Sequence, residues 1–359
     1  MSSARPTSIE LSNLSHHSQL EDNAQLNESS LAPVDRGFGA WSYLLAAFVV
    51  EGVVWRLPDS FGVFLDSCLN DPKFVNQPHA STLLPLIGSL SSGMIFCSGP
   101  LIYPINVRYP YYRRTMMWIG VIVCGASLFG ASFVTKVPVL IGLQGILYAI
   151  GGSLLYAPCI SYMTEWFVMR RGLASGVIFA VLHSRTSAGG LILPLVLPTL
   201  ISRHGSAKAL RIISVVLTTV LIPIVALVKP RLPESRNRAQ VTPPRSRDWM
   251  NSPTFWVLLA VNTVQGLGYF VPVVWLPTFA HEINLSSTSS SLAVALLNGA
   301  SLLSRLSLGY LADRLNPWLL ALSTLSSTSI ATFILWGLLS RNLAGLLSFG
   351  ITYGVLAGG

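Results

Sequence analysis

The sequence predicts an all-α membrane protein of about ten transmembrane spans. Three observations predict it. Of the 359 residues, 52% are hydrophobic and only 10% charged, against roughly 25% charged in ordinary soluble domains. Apolar runs near the ~20 residues that cross a bilayer recur along the chain. The Lys and Arg residues collect between those runs instead of along one face of them. The runs are apolar all round, which suits lipid and not a half-wetted soluble helix. They lack the ten-residue alternation of a barrel, so helices that satisfy their own backbone hydrogen bonds are expected.

Taken in order, residues 1–36 are rich in Ser, Asn, Gln and Glu and contain no apolar signal segment. They read as a disordered cytoplasmic tail. Spans are expected at about 42–65, 82–105, 115–134, 138–160, 172–197, 209–228, 254–279, 288–310, 317–338 and 343–359. The basic, Pro-rich stretch 229–252 reads as a cytoplasmic linker. It divides a six-helix bundle, 37–228, from a second bundle, 253–359, whose last span is still apolar at Gly359. Arg108, Arg113 and Arg114 follow the second span, Arg170 and Arg171 the fourth, and Lys229, Arg231, Arg236 and Arg238 the sixth. Even-numbered exits are therefore expected to be cytoplasmic, and the N-terminus with them. Arg203, Lys208 and Arg211 oppose that assignment.

The net charge of +9 is spread between spans, so no nucleic-acid partner is expected. Cys68, Cys97, Cys124 and Cys159 have neither paired nor metal-ligand spacing. No nucleophile with its base, metal-ligand set or phosphate-binding loop is present, so neither an enzyme nor a cofactor is expected. Charged groups at bilayer depth mark pathways or partners. They are Glu51, Arg56 and Asp59 in the first span, His183 and Arg185 in the fifth, and Arg305 in the eighth. Arg56 and Asp59, three residues apart, face one another on a helix and are placed to pair.

After the eighth span stands Gly309-Tyr310-Leu311-Ala312-Asp313-Arg314, which resembles the G-x-L-a-D-R loop of the major facilitator superfamily. In that resemblance Gly309 allows a tight turn, while Asp313 and Arg314 latch one gate conformation. Asp35-Arg36-Gly37-Phe38-Gly39-Ala40-Trp41 and Trp166-Phe167-Val168-Met169-Arg170-Arg171-Gly172-Leu173-Ala174-Ser175-Gly176 resemble the two signatures of the monocarboxylate transporter family, in its fungal form. The resemblance runs from about residue 35 to the last one. It implies major facilitator-type bundles of twelve helices, so the C-terminal half is expected to be incomplete by about two.

The resemblance further implies secondary active transport of a small organic acid or related metabolite, proton-coupled and working by alternating access. Arg305 matches the arginine that pairs with a substrate carboxylate, and Asn298 would add a polar contact. Asp59 or Glu51 would carry the proton. Ser301 stands where animal members have an aspartate, and Asp59 where they have a lysine. Efflux of a secondary metabolite is the alternative, and a truncated, transport-inactive membrane protein is the alternative from another class. The expected partners are the small-molecule substrate, protons and the lipid bilayer. The plasma membrane is the expected location, with the vacuolar or another internal membrane as the alternative.

Overall fold

The computed structural model describes residues 31–59, 61–69, 71–183, 196–197, 199–232, 248–285 and 287–358. Every extended element among them is helical. The chain opens with α1 (Gly37–Asp59), which contains Pro58, followed by α2 (Phe61–Leu69). Proline has no N–H to give the carbonyl four residues back. That carbonyl, Val54 O, is instead met by the Tyr148 hydroxyl at 3.1 Å, so the break leaves no buried acceptor unpaired.

The next span is α3 (Leu86–Cys97) continued by α4 (Gly99–Arg108), and then α5 (Arg113–Ala131). A π-helical segment, Ile141–Leu147, leads into α6 (Tyr148–Trp166). The helices α7 (Arg171–His183) and α8 (Ser206–Leu227) follow. The second half contains α9 (Pro253–Glu282), α10 (Ser287–Ala312), α11 (Pro317–Ala331) and α12 (Leu343–Ala357). Asn316 opens α11 by accepting the Trp318 amide, and Asn342 opens α12 by accepting that of Gly345.

Two separate apolar cores organise these helices. One joins α1, α2, α3, α5, α6, α7 and α8 around Tyr43, Phe64, Met117 and Tyr148. The other joins α9, α10 and α12 around Leu276, Leu297, Phe349 and Tyr353. The halves meet where α7 packs along α10. Outside the cores large apolar side chains point outward, Phe333 at 71% exposure and Leu303 at 65%. Such a surface suits acyl chains and not water.

Seven described helices or joined helices are long and apolar enough to cross a membrane: 37–55, 80–108, 110–131, 137–166, 206–227, 292–312 and 317–339. This corrects the ten spans expected from hydropathy. The fifth and tenth expected spans correspond to shorter apolar helices, Arg171–Ala180 and Leu343–Ala357. The seventh falls within α9. Asn342 caps α12 at its start, where the expected span 343–359 also begins. The fold is an all-α, multi-span helical bundle.

Candidate functional site

The two signature segments, 130 residues apart in sequence, are one structure. Asp35, in a left-handed conformation with φ of 59°, is nearly buried. Its carboxylate accepts the backbone amides of Val168, Met169 and Arg170 at 3.1, 3.0 and 3.0 Å. Its own amide donates to Trp166 O at 3.0 Å. The carboxylate thus closes the loop that leads into α7, whose first amides lack partners within the helix. Gly37 follows with φ of 84°, where a side chain is strained. Trp41 packs edge-on against Phe167, and Trp166 lies parallel to Tyr43 while its indole N–H donates to Lys229 O at 2.8 Å. Asp35→Ala is expected to lower stability by about 2–3 kcal/mol, and Asp35→Asn by less because it keeps an acceptor and tolerates the positive φ. Unfolding midpoints in detergent measure both.

The same end of α7 receives a second carboxylate, from the other half. Asp313 accepts the amides of Gly172 and Leu173 at 2.6 and 2.9 Å, where the helix dipole favours negative charge. Gly309 lies inside α10, not in a turn, and its backbone touches that of Gly172. A Cβ on Gly309 would sit 2.4 Å from Gly172 O, and one on Gly176 2.4 Å from Arg305 O. Arg314 stands 4.3 Å from the Tyr310 ring centre, and Arg171 Nε donates to Phe167 O at 3.1 Å. Arg170 is tied in through its backbone. The signature and gating residues therefore converge on one end of the molecule.

Deeper in the first half lies Glu51, 1% exposed. It is fourteen residues from the start of α1, about 21 Å from that end. It faces the Trp55 indole, with the Tyr103 and Tyr156 hydroxyls and Cys159 nearby. Trp55 packs on Phe96 at 4.4 Å and edge-on to Tyr156. Among the described residues Glu51 Oε1 has no hydrogen-bond partner. An acid, two phenols and two further rings contributed by α1, α3, α4 and α6 make a site suited to an aromatic or amphipathic guest and to a proton.

The second half carries Arg305 and Asn298 on α10. Arg305 lies eight residues before Asp313, about 12 Å from the clasped end, and Asn298 about 22 Å, level with Glu51. The Arg305 guanidinium reaches Tyr269 of α9, while its Nε is buried with no hydrogen-bond partner among the described residues. Tyr269 is itself held by Tyr353, whose hydroxyl donates to Tyr269 O at 3.2 Å. A cavity of about 400 Å³ borders Arg305, Gln265, Ser175 and Thr324. Asn298 and Ser301 are buried two turns and one turn further along α10. Asp59 is the last residue of α1. Its side chain and that of Arg56 lie outside the described residues, as do the His183 side chain and Arg185.

One cluster has no counterpart in the sequence reading. Arg113 at the start of α5 and Glu165 at the end of α6 form a buried ion pair at 2.7 Å. Arg113 Nε also donates to Asn106 O at 2.9 Å, and Glu165 Oε2 accepts the amides of Arg231 and Leu232 at 3.3 and 3.4 Å. The available signal was two opposite charges at facing ends of consecutive antiparallel spans.

A family model for the Major Facilitator Superfamily matches residues 38–359. The chain is similar to the fujikurins efflux protein of Gibberella fujikuroi, 28% identical over 326 residues, covering 89% of the chain and 66% of that protein. It is also similar to monocarboxylate transporter 10 of Mus musculus, 28% identical over 298 residues, covering 80% of the chain and 57% of that protein. The chain thus spans just under two thirds of the first relative and less of the second. Among solved structures, the proton:xylose symporter XylE bound to 6-bromo-6-deoxy-D-glucose superposes with a TM-score of 0.63 at 13% identity, covering 89% of the chain and 80% of that structure. That likeness bears on the fold alone.

Proposed function

The chain belongs to the major facilitator superfamily, and from that premise we propose that it exports a secondary metabolite by alternating access of two helical bundles. The observation that carries the reading is the clasp of Asp313 on the α7 N-terminus. Among the described residues it joins the two halves at one end, through bonds that break as a unit when the helices part. A two-state element of this kind is what alternating access requires. The likeness to the fujikurins efflux protein and the aromatic setting of Glu51 favour a bulky metabolite over a short acid.

In this reading the clasped end is cytoplasmic, the bundles comprise 37–228 and 253–359, and 229–252 links them. The expected membrane is the plasma membrane. Glu51 carries the driving proton, since an ionisable carboxyl buried in a membrane span is the type of group that serves proton relays. Asp59 remains the second candidate for that role.

A second reading, import of a small organic anion, rests on the unpartnered Arg305 Nε and on the likeness to monocarboxylate transporter 10. Cells that make the metabolite, with and without the gene, separate the two. Export predicts intracellular retention when the gene is removed. Unchanged retention together with faster uptake of labelled carboxylates would replace the first reading with the second. Glu51→Gln is expected to abolish uphill export while leaving downhill exchange within about threefold of wild type. Wild-type uphill export by that variant would remove Glu51 from the coupling role.

A further inference from the structure

We infer that the far end of the first bundle holds a binding pocket for a single phosphate-type oxyanion, from a lipid headgroup or from free phosphate. The pocket is remote from the clasp. The C-terminal end of α8 meets Trp166 through Lys229 and the start of α5 meets Glu165, so the start of α8 and the end of α5 lie at the opposite end. Between them is a cavity of about 250 Å³ bordered by Lys73, Ser132, Gln144, Ser206 and Arg211.

Its polar groups are mostly donors. Arg211 donates Nε to Ser132 Oγ at 3.0 Å and lies 3.9 Å from the Phe133 ring centre. These contacts fix the guanidinium and use one of its five donors. The α8 N-terminus, opened by Gly205 with no side-chain cap, presents its first amides and the positive end of a 22-residue helix. Gln144, only 3% exposed, has a buried Nε2 without a partner among the described residues. It sits in the π-helical turn Ile141–Leu147, an irregularity frequent at functional sites. That nitrogen is closed off from the cavity, so the donors an oxyanion meets are those of Arg211, Lys73 and the α8 N-terminus.

The one carboxylate on the wall, Asp71, is already engaged with the backbone amide of Lys73 at 3.0 Å. Burial, and then the Asp71 charge, push the Cys68 thiol up to about 11, so it adds no negative charge near neutrality. Arg211 and Lys73 therefore outweigh Asp71. A phosphate monoanion or phosphodiester fits this charge and this volume.

The test uses the full chain. In detergent, the unfolding midpoint is followed against inorganic phosphate, with chloride at matched ionic strength. In nanodiscs of phosphatidylglycerol or of uncharged galactolipid, native mass spectrometry counts retained lipid. A saturable rise with phosphate alone identifies the free ion as the source. One retained phosphatidylglycerol per chain identifies the headgroup. Either response should weaken about tenfold in Lys73→Gln and more in Arg211→Gln. Lys73 is exposed, so its replacement leaves folding intact even where Arg211→Gln does not. Absence of both responses, or wild-type responses from both the Lys73→Gln and the Arg211→Gln variants, overturns the inference.

Discussion

Gly176→Val is expected to abolish transport, a fall of at least about 100-fold. The Cβ alone would lie 2.4 Å from Arg305 O and 3.1 Å from Arg305 C, closer than real contacts allow. Both are backbone atoms of a helix that cannot move them separately, so relief requires α7 and α10 to part. The reciprocal contact of Gly172 with Gly309 then opens, and Asp313 loses its two amides. Charge-assisted hydrogen bonds contribute about 1.5–3 kcal/mol each, so the clasped state would lose about 3–6 kcal/mol. Inverting a population of 99 to 1 takes about 5.5 kcal/mol, so the upper end of that range inverts it and the lower end brings the two states near parity. Spin labels on the exposed Met169 and Tyr310 would report longer separations in the variant. Gly299→Ala, on the facing helix α10 but with nothing within 4 Å of the new Cβ, should leave them unchanged. A clasped distance distribution in Gly176→Val would sink this account of the gate.

The residues of that gate were legible in sequence as two signature segments and a loop motif, because small and charged residues at the ends of apolar runs stand out. What they do was not. Asp35 reads as an acid at the mouth of a span, yet its carboxylate binds amides 133 to 135 residues away. No local pattern encodes such a distance. Gly309 reads as a turn residue, and the structure uses it where two helix backbones touch. The helical character of the chain was legible because lipid demands continuous apolarity. The number of full spans was not, since the runs at 172–197 and 343–359 hold described apolar helices of only Arg171–Ala180 and Leu343–Ala357.

Glu51 was legible by its charge alone. Its neighbours Tyr103 and Tyr156, amphipathic residues in apolar runs, carry no signal until packing brings α4 and α6 beside α1. In the sequence Arg113 reads as a marker of topology, which hides its pairing with Glu165. Positive charge near a span end has two uses, orientation and pairing, and composition cannot separate them.

Because that pair is buried, removing one partner should cost far more than removing both. Glu165→Leu leaves the Arg113 guanidinium, 7% exposed, with Asn106 O and the Tyr162 ring but no counter-charge. A loss of about 3–5 kcal/mol is expected. Adding Arg113→Met should recover most of it, since two well-packed apolar side chains replace a desolvated pair at little net cost. Unfolding midpoints of the two single variants and the double variant close the cycle. The second oxygen of Glu165 makes a separate prediction. It accepts the amides of Arg231 and Leu232, so the chain leaving α8 is held to the end of α6 by the same carboxylate. Trypsin cleavage after Arg231 should therefore quicken in Glu165→Leu and stay fast in the double variant, although stability has returned. If cleavage slows again with stability, the carboxylate holds the segment only through the fold, and its bonds to the two amides have no separate role.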